Sequence, residues 1–222
     1  MVASMIAIDG PAGAGKSTVA RLVANRLNYT YIDTGAMYRA LGLLAMRLKI
    51  ALDDEAALTA LANEVKLELK NQDGKCLIFM DGEDVSEAIR AKDVGDAASA
   101  VSVFAGVREA LVAQQQRLGA AGQVVMDGRD IGTVVLPNAD CKIFLTASAE
   151  ERARRRLLEL QSKGLDVDFE QVKTEMAIRD ARDSNRANSP LCQAADAVLV
   201  DTSSLTLEQV VDAIIRIARG AS

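Results

Sequence analysis

The sequence predicts an α/β fold: a doubly wound, parallel, five-stranded sheet flanked by helices. Five short runs recur along the chain with few polar residues inside them, namely MIAID, YTYID, QVVMD, CKIFL and DAVLV. Nearly continuous apolar runs of this length are typical of strands buried on both faces, as in a parallel sheet. Amphipathic segments separate the runs, and alternation of strand and helix is the pattern of a doubly wound sheet.

The helical segments follow the runs in order. We expect helices near Val19–Leu27, Ala36–Leu48, Val107–Leu118, Glu150–Lys163 and Leu207–Arg219. One region departs from the alternation: VKLELKNQDGKCLIFM, residues 65–80, places two strand-like runs around an Asp-Gly pair, which is a hairpin signal. A short helical piece, DDEAALTALANE, precedes it. We therefore expect a small antiparallel insert over roughly residues 60–100, with a decorated loop as the alternative.

Composition excludes several classes of function. The chain has 222 residues, half of them apolar, and a net charge of −5, so no basic field covers the molecule for nucleic-acid binding. It contains no histidine, which excludes histidine general bases, histidine triads and His-ligated zinc. Cys76, Cys141 and Cys192 lie far apart, as expected of unpaired thiols in a reducing compartment. Only four residues precede the first apolar run and no apolar stretch is long enough to span a bilayer, so we expect a cytoplasmic protein without a membrane partner.

The first strand is followed by a phosphate-binding motif. GPAGAGKS, residues 10–17, fits G-x-x-x-x-G-K-[ST] between a predicted strand and a predicted helix. Successive backbone N–H groups and the helix N-terminus bind phosphate there, Lys16 reaches the outer phosphates, and Ser17 offers its hydroxyl to Mg²⁺. The sequence therefore predicts an ATP site, with Mg²⁺ as cofactor, formed by Gly10, Pro11, Ala12, Gly13, Ala14, Gly15, Lys16, Ser17 and Thr18.

The rest of the sequence narrows the class of P-loop protein. A GTPase needs N-K-x-D to read guanine and a transport ATPase carries L-S-G-G-Q, and the chain has neither. A small-molecule kinase remains, and such an enzyme needs cationic side chains opposite the P-loop for an acceptor. A nucleotide-dependent switch without catalysis is the alternative from another class.

Three charged segments are candidates for the acceptor site. IDTGAMYRA carries Arg39 on a predicted helix after a strand, and MDGRDIGT places Arg129 and Asp130 at the carboxyl end of a buried strand, where open α/β sheets bind ligands. In IRDARDSNRA, Arg179 and Asp183 are four residues apart, as are Arg182 and Arg186. The alternatives are a solvated Arg39, an Asp130 that only neutralises Arg129, and surface pairing along the third segment.

Together, IDGPAGAGKST, IDTGAMYRA, DGRDIGTVVLPNA and RDARDSNRA resemble the bacterial cytidylate kinase family over nearly the whole chain. That family phosphorylates CMP and dCMP with ATP and enlarges its CMP-binding part near residues 60–100. The resemblance implies a P-loop core of residues 1–34, 101–150 and 183–222, a CMP-binding part at 35–100 and a lid region at 151–182, with the lid itself near 151–165. It also implies a CMP site formed by Thr34, Tyr38, Arg39, Ser99, Arg108, Asp127, Arg129, Asp130, Arg179 and Asp183.

The resemblance also implies a role for each group. Arg39 and Arg129 would hold the CMP phosphate, and Ser99 and Arg108 with Asp130 would read cytosine. Arg179 and Asp183 would contact the ribose, Asp183 through the 2′-hydroxyl. Arg182 and Arg186 would act with the lid on the transferring phosphoryl group, although residues 179–186 could exchange roles. The implied catalytic residues are Lys16, Arg129, Arg182 and Arg186.

We thus expect a monomeric ATP-dependent CMP/dCMP kinase whose partners are ATP and CMP or dCMP. The alternatives are a small P-loop kinase acting on another monophosphate or on a metabolite acid such as shikimate, and the nucleotide-dependent switch.

Overall fold

The computed structural model describes residues 2–72 and 74–220. A parallel sheet has the strand order β2-β6-β1-β7-β8, and a second sheet has the order β3-β4-β5. The parallel strands are β1 (Met5–Asp9), β2 (Thr30–Asp33), β6 (Val124–Gly128), β7 (Cys141–Thr146) and β8 (Val198–Asp201). Each coincides with one of the five apolar runs, so the predicted doubly wound sheet is confirmed, with ends shifted by one or two residues.

Helices cover the sheet and extend beyond it. Within the described residues they are α1 (Lys16–Leu27), α2 (Thr34–Arg47), α3 (Glu55–Glu64), α4 (Lys92–Val101), α5 (Ala105–Gly119), α6 (Ala149–Ser162), α7 (Phe169–Asn185) and α8 (Leu207–Ala218). A π-helical turn, Ile131–Val135, follows β6. None of these helices is long and apolar enough to cross a bilayer. The three cysteines, all in the described part of the chain, are free.

The core has a layer on each face of the parallel sheet. Ile6 and Ile8 of β1 pack with α1 and α8 on one face, while Ala7 packs with Met126 and the π-helical turn on the other. Ile6, Ala7 and Ile8 have no exposed surface, which explains why this strand is apolar at successive positions. β1 is the central strand of the sheet. The P-loop therefore begins at the middle of the carboxyl edge, where open α/β sheets bind ligands.

The antiparallel insert is smaller than its predicted range. β3 (Leu67–Gln72), β4 (Lys75–Met80) and β5 (Glu83–Asp84) form it, and Asp73 of the expected Asp-Gly turn lies outside the described residues. After β5 the chain turns helical, and α4 occupies the end of the range that we expected to be antiparallel. Val94, Ala97, Ala98 and Val101 of α4 are buried, with the i, i+3, i+4, i+7 spacing of an amphipathic helix. That spacing predicts α4 from the sequence, but the hairpin interpretation overlooked it.

The insert packs on the core through α2 and β2. An added Cβ on Gly42 of α2 would lie 3.0 Å from the backbone nitrogen of Ala98 in α4, so the two helices approach closely. Asn71 of β3 donates a hydrogen bond of 3.0 Å to the carbonyl of Tyr31 in β2. β2 is an edge strand, and this contact uses a backbone group that no neighbouring strand pairs.

The helices α6 and α7 form a hairpin over the P-loop. They turn at Gly164, whose φ is +77°, and share a small apolar cluster that includes Leu160 and Met176. Arg152 of α6 donates to the carbonyl of Ala12 (3.0 Å), and the Ala12 N–H donates to Asp180 of α7 (3.3 Å). The hairpin is thereby attached to both backbone groups of one P-loop residue.

We expect Gly10→Ala to destabilise the fold strongly. Gly10 has φ +148°, and a Cβ there would overlap the carbonyl oxygen of Leu145 in β7. Backbone strain and overpacking each cost 1–3 kcal/mol, so the free energy of unfolding should fall by about 3 kcal/mol in urea titrations. Gly95→Ala is the matched control: its Cβ would meet open space within α4, and it should stabilise the protein by about 0.5–1 kcal/mol. Equal stability of the two variants would contradict the steric argument.

Candidate active site

A cleft of about 450 Å³ lies at the carboxyl edge of the parallel sheet, between the P-loop, α2, α4 and α7. Its lining includes most of the residues that the sequence predicted. These are Ala12, Gly13, Gly15, Lys16, Ser17, Thr18, Thr34, Tyr38, Arg39, Ser99, Arg108, Asp127, Arg129, Asp130, Arg179, Asp183 and Arg186. Arg182 lies outside it and lines the adjoining cavity of about 570 Å³ under the α6–α7 hairpin.

Three predicted P-loop residues do not line the cleft. Gly10 and Pro11 connect β1 to the loop, and Ala14 is 1% exposed, with its side chain in the interior. They shape the loop rather than offering side chains to a ligand. Their backbone course is what brings the following residues to the cleft.

The P-loop ends in a helix start that favours anions. Gly15 is the N-cap of α1 with φ +89°, and no side chain among residues 2–72 and 74–220 caps the helix, so the first N–H groups of α1 stay available to a phosphate. Lys16 is 6% exposed and donates to the carbonyl of Pro11 at 2.8 Å. Burial and the nearby Arg129 lower the pKa of Lys16 well below its usual value. A bound phosphate would reverse that effect by supplying negative charge beside the ammonium group.

Oxygen donors gather beside the P-loop serine. The Ser17 hydroxyl donates to Asp127 of β6 (2.9 Å), and the Tyr31 hydroxyl donates to the other oxygen of that carboxylate (2.8 Å). Burial raises the pKa of Asp127 to about 6, Asp33 adds to that rise, and Lys16, Tyr31 and Ser17 oppose it. Hydroxyl and carboxylate oxygens are the ligands that Mg²⁺ prefers, so this donor set fits the predicted metal. Ser17, Asp127 and Asp33 are the residues that would hold it, directly or through water.

A buried ion pair lines the same cleft as the P-loop. Arg108 of α5 and Asp130 are hydrogen-bonded to each other and are 3% and 5% exposed. Arg186 lies 3.6 Å from the same carboxylate, and the Arg108 guanidinium lies 5.4 Å from the centre of the Tyr38 ring. Within the described chain, Tyr38 Oη, Arg108 Nε and Arg186 Nη2 are buried without a hydrogen-bond partner. Buried donors are normally satisfied, so this corner has free donors for a polar ligand.

Arginine side chains line the space between this corner and the P-loop. Arg129 Nε donates to Asp183 at 2.8 Å, and Arg39 pairs with Asp33 at 3.3 Å. Burial opposes ionisation of Asp183, but Arg129 and Arg179 outweigh it and lower its pKa. Burial, and then Arg129, lower the pKa of Arg179 to about 10. Mutual repulsion among these cations is relieved when an anion binds, which favours a phosphate-bearing acceptor.

Arg182 and Ser99 meet across the cleft. Arg182 of α7 donates to the Ser99 hydroxyl of α4 at 2.9 Å, and Lys92 of α4 pairs with Glu175 of α7 at 3.1 Å. These two contacts connect the insert to the α6–α7 hairpin. The roles predicted for residues 179–186 remain predictions, because the alternation of arginine and aspartate allows several pairings.

Several residues in and around the site were missed by the sequence analysis, and three of them hold its other groups in place. Tyr31, which holds Asp127, and Asp33, which caps α2 through the Ala36 N–H at 2.8 Å, both lie on β2. Asp9, the last residue of β1, accepts hydrogen bonds from the Ile131 and Gly132 N–H groups. The aspartates end apolar runs, so the rule that drew attention to Arg129 and Asp130, at the carboxyl end of a strand, would also have found them.

This fold and this cleft define a class of protein, the P-loop phosphotransferases. Two structures of similar fold are a shikimate kinase from Bacteroides thetaiotaomicron (TM-score 0.50, 13% identity, 97% of this chain and 98% of that one) and a gluconokinase from Sinorhizobium meliloti (TM-score 0.50, 17% identity, 99% and 94%). At such low identity the likeness shows the fold alone. It agrees with a P-loop kinase fold and is silent on the acceptor.

Sequence comparison identifies the family. The family model described as cytidylate kinase matches residues 6–220. A cytidylate kinase of Geobacillus sp. (strain WCH70) is 55% identical over 212 residues, covering 96% of this chain and 95% of its own. One of Enterococcus faecalis (strain ATCC 700802 / V583) is 56% identical over 209 residues, covering 94% and 92%. The chain therefore belongs to the cytidylate kinase family and is a kinase, which confirms the resemblance found in its motifs.

We expect the buried Asp9 carboxyl to make stability depend on pH. Burial raises its pKa from 3.8 to about 6, so the folded state binds this proton more tightly than the unfolded chain. Its stabilising contribution is therefore complete below about pH 4 and is lost as pH rises to about 6. At about 1.4 kcal/mol per pKa unit, the contribution is up to about 3 kcal/mol.

Urea unfolding of the wild type and Asp9→Asn between pH 4 and 7 measures this effect. The variant should gain stability relative to the wild type across that window, because asparagine does not titrate. A difference between the two proteins that stays constant with pH would contradict the raised pKa.

Proposed function

We propose that the protein transfers the γ-phosphoryl group of ATP to CMP and dCMP, giving ADP with CDP or dCDP. The observation that carries this proposal is the buried Arg108–Asp130 pair, which lines the same cleft as the P-loop. Family membership supports the same acceptor. An acceptor that reaches from this pair to the P-loop needs a polar base at one end and a phosphate at the other, as a nucleoside monophosphate has.

The ion pair fits cytosine in its hydrogen-bond polarity. Cytosine presents an amine donor beside two acceptors, so Asp130 would accept from the amine and Arg108 would donate to the acceptors. Uracil would turn a carbonyl oxygen toward Asp130 and be repelled. Ser99, whose hydroxyl now accepts from Arg182, completes the polar rim of the base site.

The arginines fit the phosphate and the sugar. Arg39 and Arg129 would bind the CMP phosphate, with Thr34 beside them, and Arg179 would contact the ribose. Asp183 would accept from the ribose 2′-hydroxyl while it orients Arg129, which it already contacts at 2.8 Å. Since dCMP lacks that hydroxyl, its binding relies on the phosphate and base contacts, and both substrates remain usable.

Transfer in such a site depends on alignment and charge. The moving phosphoryl group passes through a loose transition state, and little covalent help is needed. Lys16, Arg129, Arg182 and Arg186 would surround the developing charge, with Arg182 and Arg186 delivered by α7 as the hairpin closes and excludes water. Mg²⁺, when bound, neutralises charge on the ATP phosphates.

Family membership does not favour the two rival functions, and a panel of acceptors separates them from the proposal. A P-loop kinase of another monophosphate or of a metabolite acid would release ADP with that acceptor instead of CMP. A switch would bind ATP without any acceptor-dependent release. The test is a panel of CMP, dCMP, UMP, AMP, GMP and shikimate, in which CMP and dCMP should give by far the fastest ADP release. Faster turnover of any other acceptor would overturn the assignment.

We expect Lys16→Ala to keep the fold but to lower CMP-dependent ADP release by about 100-fold or more, because the transition state loses a preorganised cation. Lys75→Ala, an exposed lysine at the start of β4, is the control and should turn over normally. Near-normal kcat in Lys16→Ala, measured with intact thermal unfolding, would show that the P-loop lysine has no catalytic role.

Removing the Asp130 carboxylate should relax base selection. A site built for an amine rejects a carbonyl because buried groups are left opposed, so the wild type should favour CMP over UMP by ~3 kcal/mol or more in kcat/KM. Asp130→Ala should lose CMP activity and shrink this ratio, and Asp130→Asn should shrink it with the side-chain volume retained. If Asp130 only orients Arg108 and Arg186, both substrates will suffer alike and the ratio will not change.

We also propose that the enzyme acts as a cytoplasmic monomer whose partners are ATP and its acceptor, and that it binds neither nucleic acid nor membrane. The net charge of −5 supports the absence of a nucleic-acid partner. Size-exclusion chromatography at several concentrations tests the oligomeric state.

A further inference from the structure

Asp9 lies between the P-loop and the loop that follows β6. It is the last residue of β1, directly before Gly10, and is 4% exposed. Its two oxygens accept separate backbone hydrogen bonds, Oδ1 from the Ile131 N–H at 2.8 Å and Oδ2 from the Gly132 N–H at 2.7 Å. Both amides belong to the π-helical turn that follows Arg129 and Asp130.

These bonds continue the sheet after its ladder ends. The parallel pairing of β1 with β6 runs from Met5 opposite Val124 to Asp9 opposite Gly128, where both strands stop. Beyond that point the backbones diverge, and the Asp9 side chain bridges the gap to the segment 128–132, here named the acceptor loop. The backbone of Asp9 belongs to the start of the P-loop, so a single residue is bonded to both loops.

Some of the other restraints on the acceptor loop are side chains that a substrate would engage, whereas Ile131 packs in the core and the Asp130 carbonyl accepts from the Val134 and Val135 N–H groups. Arg129 is paired with Asp183, and Asp130 with Arg108. A bound CMP would compete for these same groups and would loosen their hold on the loop. The Asp9 bonds go to backbone N–H groups and use none of the side chains that the acceptor would engage.

Burying a carboxyl group at this position has an energetic cost. An alternative of equal size, such as asparagine, would bury no charge but would replace one of the two accepting oxygens with an NH2 group, a donor that would face one of the amide N–H groups. Two charge-assisted bonds to backbone N–H groups are roughly twice as strong as neutral ones, and they fix the direction of both amides. This pair of bonds can hold the acceptor loop at a fixed distance from the end of β1.

We propose that Asp9 is a positioning residue that fixes the acceptor loop, and with it Arg129 and Asp130, relative to the P-loop. The proposal rests on the proposed function in one respect: it takes Arg129 and Asp130 as the groups that hold the acceptor. In-line transfer tolerates little error, since a misplacement of about 1 Å can cost about 100-fold in rate. Asp9 acts through the loop and touches neither substrate.

A competing role for Asp9 is electrostatic. Asp9 lies close enough to Lys16 for each charge to influence the other. If Asp9 served mainly as a counter-charge for Lys16, its removal would change the binding of ATP. If it positions the acceptor loop, its removal would spare ATP and disturb the acceptor. The two roles therefore differ in which substrate responds.

Asp9→Asn and Asp9→Ser are the test variants, and Asp140→Asn is the matched control. Asp140 also accepts from two successive backbone N–H groups, Ser4 at 2.8 Å and Met5 at 2.9 Å, both on Oδ2, at the opposite end of β1 and outside the lining of the cleft. The measurements are the Kd of MgATP by calorimetry, kcat/KM for CMP and UMP, and hydrogen exchange of the Ile131 and Gly132 amides.

The expected result is a split between the two substrates. Both Asp9 variants should bind MgATP within about twofold of the wild type, lose at least about tenfold in kcat/KM for CMP, and show a reduced CMP:UMP ratio. The Ile131 and Gly132 amides should exchange slowly in the wild type and rapidly in the variants. Asp140→Asn should leave the affinity for MgATP, the CMP:UMP ratio and both amides unchanged.

Other outcomes overturn the proposal. Unchanged CMP kinetics would show that the loop needs no such support, and a loss of MgATP affinity equal to the loss of kcat/KM would assign Asp9 to Lys16. If neither Asp9 variant folds, fast exchange of the two amides in the wild-type protein would still refute it. If the wild type shows no CMP-dependent ADP release, the proposed function fails, whereas amide exchange still tests whether Asp9 orders the loop.

Discussion

Parallel pairing of β1 with β6 in one register is the constraint on which the rest of the molecule depends. It sets Asp9 opposite Gly128 at the point where both strands end, so the P-loop and the acceptor loop leave the sheet side by side. The neighbouring pair, β2 with β6, sets Asp33 opposite Asp127 in the same way. The strands are apolar and buried, and their register is fixed by burial rather than by the polar residues at their ends. The chemistry of the cleft is thus assembled by an apolar sheet.

The same arrangement places several charged side chains in buried positions. Lys16, Arg108, Asp127, Asp130 and Asp183 are each less than 10% exposed. Each has an oppositely charged or hydrogen-bonding neighbour, because an isolated buried charge would be very costly. The positive charges of the arginines are not fully compensated. Arg179 and Arg186 have lowered pKa values, and each has a buried nitrogen without a hydrogen-bond partner among the described residues. An anionic ligand completes the compensation, which explains how a protein of net negative charge can hold a cationic cleft.

The sequence sufficed for the parallel sheet and for most of the cleft lining, and it failed where a choice among partners was required. Apolar runs identify strands because burial on two faces leaves no room for polar residues, and the P-loop follows from its glycines. The helix α4 was missed because the hairpin signal beside it dominated the interpretation of that region. The pairing of Arg182 with Ser99, and of Arg186 with Asp130, depends on how α7 approaches α4 and α5. Where arginine and aspartate alternate along a segment, the sequence alone does not determine which residues pair.

The attachment of the α6–α7 hairpin to Ala12 has a consequence for how this enzyme can vary. Both contacts use the backbone of Ala12, so replacing its side chain leaves the donor and the acceptor in place. The attachment of the hairpin to the P-loop is therefore insensitive to substitution at position 12 and sensitive to substitution of Arg152 or Asp180, which also pair with each other. Loss of either partner would leave the other partly buried without its opposite charge, so we expect the two positions to change together. Correlated substitution of Arg152 and Asp180 among related chains would reveal this attachment, which the P-loop motif itself does not show.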